Sequence, residues 1–342
     1  MTEIYLNTNV YDNSEMREYL AYKIYNTMGI DTQQYLLANL KINDTENGII
    51  TIVEVVNQDY VTKKYENEDG NLYRPAPVEN QGTYGADLRY AGENLEEYKG
   101  IFNNTKTDNT NEEDKYRLIN IIKSINEVKF KQELEQNFMD FDKIIKMIAI
   151  NKAIANIDGF TSKTLRNYYL YEKDNKIDII PFDFDLSMGT NPNKDFWTED
   201  FSTYELAKND DEIYSKLIEI ILNDDEYTEK YKKYYFETLQ KIKDMKIENI
   251  IYGIDNKIDE KVKNNKNKIY SYEEYKNGLR DLTQFFKSKQ WRQRKLKEYW
   301  LFIETVYYNY KETITMNYLT NVKLNNWCNV WENIHPYKFV VL

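Results

Sequence analysis

The sequence holds one cysteine, Cys328, and one histidine, His335. A single cysteine excludes an internal disulfide. A single histidine argues against a Ser-His-Asp hydrolase and against a multi-histidine zinc centre. No run approaches the roughly 18 uninterrupted apolar residues that span a bilayer. The first residues, Met1 to Asn7, have neither a basic start nor an apolar run, so they do not read as a signal peptide. Positive charge is in the minority: 46 Lys and Arg against 57 Asp and Glu give a net charge of -11. That balance disfavours nucleic-acid binding through phosphate neutralisation. The expected partners are therefore neither nucleic acid nor membrane. Chemistry must rest on carboxylates, amides, lysines or hydroxyls.

What is present suits a folded, water-facing protein. The 342 residues are 41% apolar and 30% charged, with a mean hydropathy of -0.78. This length implies two lobes around a cleft, or one domain with a helical extension. Residues 12–28 read as a helix capped by Asp12 or Ser14, with Met16, Leu20, Ile24 and Met28 on one face and Gly29 as the stop. Strands are expected at 36–42 and 49–56, joined by a turn containing Asn43, Asp44, Asn47 and Gly48. A short helix follows at 58–65, and 72–110 reads as an irregular insertion with one hairpin. Helices are expected at 112–126, 127–138 and from Phe141, the last capped by Asp140. Strands at 167–172 and 177–182 flank the turn Lys173-Asp174-Asn175-Lys176. Beyond Gly189 the pattern is helical, at 212–222, 225–246, 247–263, 272–288 and 291–312.

One constellation carries chemistry. A hairpin brings its ends together, because paired strands lie about 4.8 Å apart. Asp183 should then lie beside Asn167, with Asp158 just before the first strand. With Asp185 this makes three acids and an amide, an oxygen-rich set that suits Mg²⁺ and phosphate oxygens. The order of helix, acid, amide, hairpin and second acid is also that of a protein-kinase site. The same spacing fits a solvated Asp-x-Asp turn with a loop-capping Asp158.

Three motifs in sequence narrow this choice. They are Asn156-Ile157-Asp158-Gly159, Arg166-Asn167-Tyr168-Tyr169-Leu170-Tyr171 and Ile180-Pro181-Phe182-Asp183-Phe184-Asp185. Together they resemble the CotH family, atypical protein kinases named for a bacterial spore-coat protein. Phe182 stands where that family usually has Trp. Asp12, Ser14, Met16 and Arg17 followed by Leu20-Ala21-Tyr22, then Gly48 to Glu54, then Gly70-Asn71-Leu72-Tyr73, also match, and the resemblance covers about residues 4–290.

The resemblance implies an α+β, divergent kinase-like, two-lobed fold with a reduced N-terminal lobe and a mostly helical C-terminal lobe. It implies boundaries of 1–110 for a partial N-terminal lobe, 111–295 for the helical lobe and 296–342 for a C-terminal extension. Asp158 would be the catalytic Asp. Asn167, Asp183 and Asp185 would hold Mg²⁺, and the backbone of Glu54, Val55 and Val56 would meet the adenine of ATP. The substrate would be serine in spore-coat proteins, in the mother-cell cytoplasm or the coat itself. Family members carry strands with a phosphate-binding lysine before the Asp12 helix, and no lysine here maps to it. The implied activity of this chain alone is weak or absent, and the alternative role is a non-catalytic coat scaffold.

Residues outside this set read as structural. Tyr168, Tyr169, Leu170 and Tyr171 are expected in the core, Trp327, Trp331 and Tyr337 in a terminal element, and Cys328 as a small apolar residue. Lys287 to Lys295 read as a solvated helix face, with docking of acidic protein as the alternative.

Overall fold

A computed structural model describes residues 3–288, apart from 44, 67–68, 128–136, 163, 191–205, 207–214 and 268. The expected helices at 127–138 and 291–312 and the C-terminal extension fall largely or wholly outside this range. So do Cys328, His335, Trp327, Trp331, Tyr337 and most of the basic cluster.

The chain opens with a strand that the sequence reading did not expect, β1 (Ile4–Asn7), then helix α1 (Arg17–Thr27). Strands β2 (Tyr35–Ile42) and β3 (Thr45–Glu54) follow. β1 and β2 both pair antiparallel to β3, giving a three-stranded sheet in the order β1-β3-β2. The hairpin turn is tighter than its Asn and Gly content suggested. Asn47 and Gly48 lie within β3, and the extra residue is absorbed by a register shift at Leu40/Lys41.

α1 also starts later than expected, because Asp12 does a different job. Its carboxylate accepts from the backbone N–H groups of Ser14, Met16 and Arg17 at 2.8, 2.8 and 2.6 Å, and from Ser14 Oγ at 2.6 Å. It also pairs with the Arg17 guanidinium, and both side chains are almost wholly buried. The acid thus organises the loop before the helix. The α1 N-cap itself, Met16, makes no side-chain cap. Asn9 ties this loop to the sheet, donating to Ile49 C=O at 3.3 Å and accepting from Thr51 Oγ1 at 3.1 Å.

Helix α2 (Gln58–Tyr65) is capped by Asn57, and strand β4 (Asn71–Tyr73) comes next. β4 lies within the segment expected to be turn-rich and pairs antiparallel with strand β5. A 3₁₀ turn (Leu95–Tyr98) leads into α3 (Lys99–Phe102) and then α4 (Glu112–Glu127). The hairpin expected here is reduced to isolated bridges, Tyr73 with Thr105 and Val78 with Gly82. Helix α5 (Phe141–Ala153) is capped by Asp140, which accepts from Lys143 N–H at 3.0 Å. Strands β5 (Tyr168–Lys173) and β6 (Lys176–Pro181) complete a second sheet, β4-β5-β6. Then come α6 (Lys216–Leu222), α7 (Asp225–Asp244), α8 (Ile247–Asn264) and a helix over 272–288.

The second sheet separates two cores by strand alternation. Tyr168, Leu170, Ile177 and Ile179 face the main core built on α1, α4, α5 and α7. Tyr169, Tyr171 and Ile180 face a smaller cluster with Val56, Tyr60, Val61 and Leu72. The aromatic run is therefore packing, as its strand pattern predicts. Gly70 is required by this packing, since a Cβ there would lie 2.1 Å from the Tyr171 hydroxyl.

Two stability outcomes follow from the Asp12 loop. Asp12→Ala leaves Arg17 buried without its charge partner and should cost about 3–5 kcal/mol in chemical denaturation. Glu15, in the same loop, has its carboxyl pushed from 4.5 up to about 8 by burial and then by the charge of Asp12. A raised folded-state value favours folding with the acid protonated. Stability should therefore decline as pH rises from about 4.5 through about 8, and Glu15→Gln should remove that part of the decline in thermal unfolding.

Candidate functional site

The site is assembled by the open end of the β5–β6 hairpin. Phe182 N–H donates to Asn167 C=O at 3.1 Å, which holds Asp183 and Asn167 at adjacent ends. Both residues adopt left-handed backbone, with φ of 58° at Asp183 and 59° at Asn167. Asn and Asp tolerate this conformation better than most side chains.

The loop after α5 brings in the next acid. Asn156 Oδ1 accepts from Asp158 N–H at 3.2 Å, and Asn156 Nδ2 donates to Asn151 Oδ1 at 3.1 Å. Asn167 Nδ2 then donates to Asp158 Oδ2 at 3.1 Å, and Arg166 Nε lies 3.5 Å from Asp158 Oδ1. Two backbone bonds bind this loop to the segment after β6: Ile157 N–H to Leu186 C=O at 3.0 Å and Met188 N–H to Ile154 C=O at 2.7 Å.

Phe184 sits between the two acids of Asp183-Phe184-Asp185 and is fully buried. Its ring meets Tyr22 edge-on and Tyr25 at a tilt, both at 4.9 Å between centroids. Tyr25 in turn donates to Asn151 Oδ1 at 2.7 Å. The apolar residue thus fixes the acids against α1, and Tyr25 also bonds the α5 residue, Asn151, that holds Asn156 of the Asp158 loop.

Burial dominates the electrostatics. It raises the carboxyls of both Asp183 and Asp185, which are hydrogen-bonded to one another, and the charge of Asp183 raises Asp185 further. Asp158 is raised by burial, against the lowering effects of Thr164, Arg166 and Asn167. Glu18 of α1, a residue that sequence reasoning missed, is raised well above its ordinary value by burial and then by the charge of Asp183. Asn7 Nδ2 donates to it at 2.7 Å.

A cleft of about 460 Å³ opens between the two sheets, a size ordinary for a small-molecule site. Glu54, Val55, Val56 and Asp183 all line it, so the strand expected to meet adenine shares a cavity with the first acid. Asp158, Asn167 and Asp185 are not among its lining residues and connect to it through the contacts above. Two of the three backbone N–H groups in the stretch expected to meet adenine are already used. Glu54 N–H donates to Gln34 C=O at 2.8 Å and Val55 N–H to Glu3 C=O at 3.2 Å. Val56 N–H is left without a hydrogen-bond partner among the described residues. Gln33 also lines the cleft; its Nε2 donates to Pro181 C=O at 3.2 Å, and its buried Oε1 has no partner. Tyr5, Arg74 and Lys106 also line the cleft, and sequence reasoning missed them. Arg74 directly follows the matched Gly70-Asn71-Leu72-Tyr73, and Glu18 follows Arg17, so the motif neighbours held the signal. A shallower depression of about 610 Å³ includes Glu54, Val55, Asp59 and Asp108 but none of Asp158, Asn167, Asp183 and Asp185.

The donor set fits a hard cation, since carboxylates and an amide offer only oxygen. Among the described residues no three acidic, histidine or cysteine side chains form a ready metal cage. Mg²⁺ needs none, because it takes one or two carboxylates and fills its shell with water and phosphate oxygens. The cavity, the free Val56 N–H and the orphaned Gln33 Oε1 suit a nucleobase.

Comparison with known proteins gives the family. The family model described as CotH kinase protein matches residues 1–292. The chain belongs to the CotH family. It is 27% identical over 246 residues to the inner spore coat protein H of Bacillus subtilis (strain 168), which spans 70% of this chain. The match covers 63% of that relative, so this chain accounts for less than two thirds of its length. The crystal structure of a Helicobacter pylori proinflammatory kinase, CtkA, aligns at 14% identity over 86% of this chain and 91% of that chain. Its TM-score of 0.38 is too low to equate the two backbones. The α+β class expected from the sequence is the one observed, with small antiparallel sheets and a helical second half. No described helix is long and apolar enough to cross a membrane.

Phe184→Ala should cost about 3–5 kcal/mol, as for other buried aromatics. Chemical denaturation measures this.

Proposed function

We propose that this chain is the catalytic part of a Mg²⁺- and ATP-dependent protein kinase that phosphorylates serine in spore-coat proteins. The observation that carries this reading is the shared cleft, which Val56, Gln33 and Asp183 all line. Family membership and the coat-protein relative support the substrate class, with action in the mother cell or on the coat.

Each residue then has a distinct task. Val56 N–H and Gln33 Oε1 pair with the base. Asp183 and Asn167 hold the metal, and Asp185 braces Asp183 from behind. Bound Mg²⁺ neutralises phosphate charge and orients the phosphates. Asp158 accepts the serine hydroxyl proton as that oxygen bonds to the γ-phosphorus and the β–γ bridging bond breaks, leaving ADP. Arg166 and Asn167 keep Asp158 oriented toward that hydroxyl.

A second reading, a non-catalytic coat scaffold, draws on one contact. Protein kinases pair a strand lysine with a helix glutamate. Here Glu18 is met by the amide of Asn7.

Thermal shift and labelled-phosphate transfer separate these readings. For the kinase, Mg-ATP raises the melting temperature and Asp183→Ala abolishes the rise. Asp158→Asn keeps the rise and loses transfer to a serine substrate by at least about a hundredfold. A wild-type chain that ignores Mg-ATP supports the scaffold.

A further inference from the structure

The cleft contains two cations that the assignments above leave unused. Arg74 follows β4, and Lys106 lies on the segment paired with it. Arg74 N–H donates to Asn104 C=O at 3.0 Å and Lys106 N–H to Leu72 C=O at 2.7 Å, around the Tyr73–Thr105 bridge. The two side chains leave this short ribbon from neighbouring positions and line the same cavity as Asp183.

Neither cation has an ion-pair partner among the described residues, although four acids line the cleft. Each acid is engaged elsewhere. Glu3 accepts from Asn57 Nδ2 at 2.9 Å, Glu18 from Asn7 Nδ2 at 2.7 Å and Glu54 from Gln34 N–H at 3.2 Å. Asp183 is bonded to Asp185. The Arg74 guanidinium instead lies over the Phe182 ring, 4.7 Å from its centroid. Stacking fixes the plane of the fork while leaving its N–H groups free for an anion. Its charge is felt at Asp183, so the anion it would take lies near the metal-binding acid.

We propose that Arg74, assisted by Lys106, clamps the β- and γ-phosphates of the nucleotide, the charge contact that a strand lysine makes in protein kinases. The proposal rests on the nucleotide reading of the cleft. Arg74 then has a double function. It neutralises the phosphates, and its stacking on Phe182 holds the chain leading into Asp183. The planar fork suits bidentate phosphate contact, while Lys106 acts as a point charge.

Calorimetric titration of the whole chain with Mg-ATP and, separately, with adenosine tests this. Arg74→Ala should weaken ATP at least about tenfold, because bonds to a charged partner are among the strong ones. Lys106→Ala should weaken it less, and both variants should reduce the salt dependence of ATP binding. Adenosine affinity should stay at the wild-type value. Unchanged ATP affinity in both variants overturns the clamp. Equal losses for ATP and adenosine also overturn it, since they place Arg74 in shaping the base pocket. Wild-type chain that binds neither ligand removes the nucleotide reading itself, a different failure from that of the clamp.

Discussion

Everything at this site depends on the β5–β6 pairing closing in register. Its last backbone bond, Phe182 N–H to Asn167 C=O, places two left-handed residues face to face. A slip of one residue would turn Tyr168 and Leu170 out of the main core. Register is thus locked by burial on both faces of β5. The bonds from Ile157 and Met188 then attach the Asp158 loop to the same strand exit. The acids are positioned by packing and backbone geometry before any ligand arrives.

That preorganisation has an electrostatic cost. Glu18, Asp183, Asp185 and Asp158 are all raised by burial, and several repel one another. A fold optimised for stability alone would not gather them. Such clusters of perturbed acids recur at functional sites. Opposing cations come from three places: Arg166 beside Asp158, Arg74 over Phe182, and Lys106 in the cleft lining. The cleft thus gathers acids, among them Glu18 of α1 and Asp183 after β6, and two cations, Arg74 and Lys106. That mixture suits a phosphate chain bridged to a metal.

Much of this was legible in the sequence. The helix at Phe141 and its Asp140 cap follow from periodicity and capping chemistry, and the β5–β6 hairpin follows from strand pattern and turn residues. The grouping of Asn167, Asp158 and Asp183 follows from hairpin geometry with the motif order. Other parts were hidden for physical reasons. β1 is a four-residue edge strand whose identity depends on pairing with β3. β4 is three residues long and sits between turn formers, so its pairing with β5 has no local signature. Asp12 looks like a helix cap, yet its carboxylate serves a loop and Arg17. Arg74 and Lys106 are distant in sequence from the acids they face, and only the strand pairing brings them to the cleft.

The most direct test of the account is a crystal structure of the chain with Mg²⁺ and a non-hydrolysable ATP analogue. The account predicts the base against Val56 and Gln33, and metal density at Asp183. A nucleotide seated in the depression by Asp59 and Asp108, or metal density away from Asp183, would contradict it.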